Sequence, residues 1–71
     1  MKVEIILTTI GDGQSVETVV AIASVAHATN IERFLTWHAE KLFTTRFTLR
    51  RGRNLFSWAA VDANGNTLTV R

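Results

Sequence analysis

A chain of 71 residues has room for one domain, because a protein this short buries only about 60% of its unfolded surface and cannot sustain two cores. Hydrophobic residues make up 46% and charged residues 20%, too apolar a balance for a disordered segment. The absence of cysteine excludes disulfides and thiolate metal sites, and a net charge of +2 is too small a surplus to argue nucleic-acid binding from the total alone.

The first apolar run begins Met1-Lys2-Val3-Glu4, with an acid inside it and no small-residue cleavage pattern. It therefore does not read as a signal peptide. The longest uncharged stretch, residues 18–30, falls well short of the roughly 20 apolar residues that span a bilayer, so a cytoplasmic location is expected.

Residues 2–10 are rich in β-branched and aliphatic side chains, and a second such run covers residues 15–23. Asp12-Gly13 between them predicts a two-residue hairpin turn, which needs positive φ at both positions. That register puts Val3, Ile5, Leu7, Val16, Val20 and Ile22 on one face and Glu4, Thr8 and Glu17 on the other. The alanines at 21, 23, 26 and 28 also allow a helix over residues 16–28, the less favoured reading. Ser24 can cap a helix over residues 25–43, with Asn30 as a second start. Ala28, Ile31, Leu35, Ala39 and Leu42 would form its apolar stripe, flanked by Phe34.

Residues 45–51, 54–62 and 66–71 read as a three-stranded meander. A two-residue loop at Gly52-Arg53 would pair Leu49 with Phe56 and Phe47 with Trp58. At Ala63-Asn64-Gly65 a three-residue loop with Gly65 left-handed is preferred, since it sets Leu68 beside Ala60 and Val70 beside Trp58 on a single core face. The expected architecture is a single α+β domain over residues 1–71, in the order ββαβββ, with one helix packed on one face of a five-stranded antiparallel sheet. The predicted core is Val3, Ile5, Leu7, Val16, Val20, Ile22, Ile31, Leu35, Leu42, Phe47, Leu49, Phe56, Trp58, Leu68 and Val70.

No nucleophile-base-acid motif and no cofactor or metal motif stands out, so an enzyme is not expected. His27 and His38 lie roughly 16 Å apart along a common helix, too far to share a metal. His38 with Glu40 or Asp62 could do acid-base work in principle, but a histidine bordering the apolar stripe reads as a partly buried helix residue. The glycines sit in turns without the lysine of a phosphate loop.

Two surfaces remain. Arg46, Arg50, Arg51, Arg53 and Arg71 all fall in the last 26 residues, on the outer sheet face or at a hairpin tip, where they could grip a phosphate backbone. Against that, Phe47, Phe56 and Trp58 are assigned to the core, leaving no aromatic platform for bases. Arginine and threonine are also ordinary solvent-face strand residues. The second surface comprises Ile6, Ile10, Val19, Leu55 and Val61 on the outer face that a single helix cannot cover, together with Trp37 on the far side of the helix. It favours a non-enzymatic protein-interaction module, either a homodimer or an accessory factor docking on a larger protein. Nucleic-acid binding through the basic hairpin is the alternative.

Overall fold

A β-ribbon opens the chain because two β-branched runs are joined by residues able to turn left-handed. The computed structural model describes residues 2–24 and 30–71. Strand β1 (Lys2–Gly11) and strand β2 (Gln14–Ser24) are joined at Asp12 and Gly13, whose φ angles of 53° and 76° are those of a type I′ turn. The alternative helix over residues 16–28 is therefore not formed as far as Ser24, and the start of a helix at residues 25–29 lies outside the described residues.

Helix α1 (Ile31–Leu42) follows, entered at Asn30. Ile31, Leu35 and Ala39 recur every fourth residue and are buried. The backbone turns extended at Phe43, which swings its ring into the core beside Phe47, with ring centroids 5.9 Å apart. Leu42, expected in the core, is left half-exposed because Phe43 occupies that place.

Strands β3 (Phe47–Arg50), β4 (Ala59–Asp62) and β5 (Thr67–Val70) complete an antiparallel sheet of order β2-β1-β5-β4-β3. The protein is thus α+β, with its helix between the second and third strands, packed against β3, β4 and β5. The buried cluster is Val3, Ile5, Ala23, Ile31, Leu35, Ala39, Phe43, Ala60, Leu68 and Val70. Among the described residues no helix is long and apolar enough to cross a membrane.

The β4–β5 loop has the expected form: Gly65 is left-handed at φ 85°, and Leu68 lies opposite Ala60. Asp62 closes it by accepting from the backbone N–H of Asn64 and of Asn66, and from the Asn66 side-chain amide.

Three expectations need correction. First, the β1–β2 register shifts between Ile5 and Ile6, so that Ile5 faces Ala21 while Ile6 faces Val19, and Val20 is the extra residue of a bulge. Beyond it Ala21 and Ala23 turn inward and Ile22 turns outward, 61% exposed. Second, Val16 is 59% exposed, because β5 pairs with β1 only as far as Thr8 and the ribbon beyond has no further layer. Third, β3 and β4 are not joined by a two-residue loop. Leu49 pairs with Ala60 and Phe47 with Asp62, a slip of four residues that preserves which side chains face inward. The intervening residues form a 3₁₀ turn (Leu55–Ser57) started by Asn54, whose side-chain oxygen accepts from the Phe56 N–H and the Ser57 hydroxyl. Leu55 and Trp58 pack against the core, whereas Phe56 is 56% exposed.

Candidate functional site

The outer face of the sheet can be assembled from the strand registers. Strand β1 contributes Glu4, Ile6, Thr8 and Ile10, and β2 contributes Ser15, Glu17, Val19 and Ile22. Strand β5 supplies Thr67 and Thr69, followed by Arg71; β4 supplies Ala59 and Val61; β3 supplies Thr48 and Arg50, preceded by Arg46.

Ile6, one of the expected contact residues, is only 3% exposed although it lies on this open face. Val19 and Thr69 flank it on the neighbouring strands, and an ion pair spans the face at its level. Arg71, opposite Glu4 on the β5 side, reaches the carboxylate of Glu17, opposite Thr8 on the β2 side. A link between the two neighbours of β1 at those levels crosses β1 at Ile6. The arginine's hydrogen bond and charge hold the Glu17 carboxyl below its usual range, and the same contact raises Arg71.

Past that bridge the ribbon stands alone. Residues 9–19 are all exposed, and they include Ile10, Val16 and Val19. Ile22 extends the exposed aliphatic set along β2, which is an edge strand with no partner on its far side among the described residues. Natural edges are commonly guarded by lysine, proline or short length. Strand β2 has neither residue, is 11 residues long, and carries Glu17 as its one charge. The base of the ribbon is fixed by Asn66, whose side-chain oxygen accepts from the Ile10 N–H at 3.0 Å.

Of the other expected contact residues, Val61 is half-buried on the outer face, and Leu55 faces the core from the 3₁₀ turn. Trp37 is 51% exposed, with the Lys41 ammonium 4.1 Å from its ring centre and the His38 ring edge-on at 4.8 Å. An open depression of about 630 Å³ lies between Trp37 and Trp58, bordered by Glu32, Arg33 and Glu40.

The five arginines do not form one patch. Arg71 is engaged with Glu17, and Arg51 turns to the helix side, 2.9 Å from Glu32. Arg46 and Arg50 share the outer face of the β3 edge, and Arg53 sits in the adjoining loop. That loop also presents Phe56, so the expectation that no aromatic accompanies the basic residues does not hold. Asn54 before an apolar run was the available signal, since asparagine there caps a turn as readily as it starts a strand.

His38 is half-buried between Phe34 and Trp37, and burial, followed by the charge of Lys41, lowers its pKa. Asp62, considered as an acid-base partner, is engaged in its own loop. Among the described residues no three His, Asp or Glu side chains gather where a metal ion could be held. Comparison with protein-family models, with curated proteins and with solved structures finds no match to this chain.

Proposed function

We propose that this protein is a small interaction module that docks through its β1–β2 ribbon. One observation carries the reading: an 11-residue edge strand without lysine or proline, bearing exposed Val16, Val19 and Ile22. Unpaired main-chain groups beside exposed aliphatic side chains are what a partner strand requires, since the backbone supplies affinity and the side chains supply register. The test compares the wild-type chain with a Val19→Lys/Ile22→Lys variant as bait in nuclease-treated source-cell lysate. Capture of a defined protein by the wild type, lost in a variant that keeps its fold by circular dichroism, is expected. Equal capture by both baits would overturn the reading.

A nucleic-acid role is the second reading, favoured by exposed Phe56 in the same loop as Arg53. A stacking ring next to guanidinium groups is the minimal single-strand contact. Its mark is an affinity for oligonucleotides that falls steeply with salt and is lost in Arg46→Ala/Arg50→Ala/Arg53→Ala.

A further inference from the structure

The main-chain bonds of the sheet tell which groups of β2 face its open edge. Glu4 and Arg71 exchange both backbone bonds, at 2.7 and 2.8 Å, and the Ile10 N–H also points to the β5 side. Even-numbered residues of β1 therefore bond toward β5, so the odd-numbered ones bond toward β2. Leu7, Thr9 and Gly11 lie opposite Thr18, Val16 and Gln14, which leaves Ser15, Glu17 and Val19 with N–H and C=O directed outward. The bulge at Val20 ends this straight segment.

We infer that the partner of this edge is the same edge of a second copy, paired antiparallel about a two-fold axis through Val16. The inference rests on the docking role proposed for the ribbon and names its occupant. Outward groups must face outward groups, so odd-numbered residues meet odd-numbered residues and the axis passes through a residue. An axis at Glu17 sets two carboxylates directly opposite each other, which is destabilising. At Thr18 the ladder runs into the bulge, matching Val16 with the partner's Val20.

An axis at Val16 avoids both faults. Ser15 and the partner's Glu17 exchange both main-chain bonds, and the serine hydroxyl meets a carboxylate that can accept from it. Each Glu17 keeps its own Arg71, so no uncompensated charge enters the contact. Val16 meets the partner's Val16 in a non-hydrogen-bonded pair, the arrangement in which opposing side chains come closest. Gln14 and the partner's Thr18 close the ladder on either side. The two five-stranded sheets become one continuous sheet, and the most exposed part of each ribbon is covered. A contact confined to one strand edge is small, and the dimer accordingly dissociates on dilution.

The absence of native cysteine gives a direct test. Val16→Cys places the two thiols across the axis, within the Cα separation that a disulfide spans, whereas Thr18→Cys sets them several residues apart. Mild oxidation is expected to convert Val16→Cys largely to a covalent dimer and leave Thr18→Cys monomeric. Sedimentation of the wild type should show mass doubling as concentration rises, and Ser15→Pro, which removes an outward N–H and no bond to β1, should abolish it. A wild-type chain that stays monomeric at millimolar concentration, or equal cross-linking of the two cysteine variants, would overturn the inference. If the monomeric chain still captures another protein in a manner lost in Val19→Lys/Ile22→Lys, the docking role stands and self-pairing alone falls.

Discussion

At the residue scale, the turn glycines separate what composition reveals from what packing decides. Gly13 and Gly65 occupy left-handed positions that Asp-Gly and Asn-Gly announce, and both turns form where the sequence predicts them. Gly52 also reads as a turn residue, yet its need for glycine has another origin. A Cβ built there would lie 1.9 Å from the Ser57 Cβ and 2.5 Å from its backbone carbon, so the 3₁₀ turn folds directly against it. No flexible side-chain end can move aside to relieve that approach. Gly52→Ala should therefore cost about 1–3 kcal/mol of folding stability, the range typical of overpacking. Urea denaturation of the variant reads this as a lowered midpoint; an unchanged midpoint would mean that the loop can back away from Ser57. Asp62 teaches the same lesson from the polar side. Its three accepted hydrogen bonds within the β4–β5 loop depend on geometry that spacing alone does not specify.

At the element scale, side-chain parity was far more legible than register. The β3–β4 pairing slips by four residues from a two-residue hairpin, and an even slip leaves Phe47 and Leu49 facing inward as the alternation requires. What the alternation could not reveal is the competing claim of Asn54, whose capping of the 3₁₀ turn outweighs the shorter loop and carries Phe56 out to solvent. The β2 bulge is equally silent, because Val19, Val20, Ala21 and Ile22 all suit a strand in either phase, and nothing in their alternation marks where the register shifts. The candidate surface divides along the same line. Ile10, Val19, Val61, Arg46, Arg50 and Arg71 reach the outer face by parity, while the ion pair that spans the face at the level of Ile6 joins residues 54 apart in sequence. The capping argument predicts that Asn54→Ala loosens the turn at a cost of about 1 kcal/mol, the usual worth of a cap. Trp58 immediately follows that turn and is half-buried, so in a Trp37→Phe background its emission should shift to the red when Asn54 is replaced. Unaltered emission and stability would show that the turn holds without its cap.

At the scale of the whole molecule, the protein is 37 Å long and about 20 Å across, with helix and core at one end and the uncovered ribbon at the other. Its pH response follows from one titrating group at each end. His38, on the helix, has a folded pKa below its usual 6.5, since burial first and Lys41 second disfavour its charged form. The unfolded chain then binds the proton more readily, so the stability associated with neutral His38 is complete above pH 6.5 and is lost as the pH falls through the folded value. Glu17, on the ribbon, is held below its usual 4.5 by Arg71, and its contribution is complete above that pH and lost as acid protonates the carboxylate. Both groups act in the same direction, and their windows differ. Thermal unfolding followed from pH 8 to pH 3 should show a melting temperature that declines in an upper step beginning near pH 6.5 and a lower, small step beginning near pH 4.5, small because solvent screens the exposed Glu17–Arg71 pair. His38→Gln should flatten the upper step alone, and Glu17→Gln the lower step alone. Because the Glu17–Arg71 pair spans the face at the level of Ile6, the lower step should coincide with a loss of amide protection, taken relative to the intrinsic exchange rate at each pH, at Ile6 and its strand neighbours, while Leu35 in the helix stays protected. An upper step that survives His38→Gln would assign it to another group and remove the burial argument for this histidine.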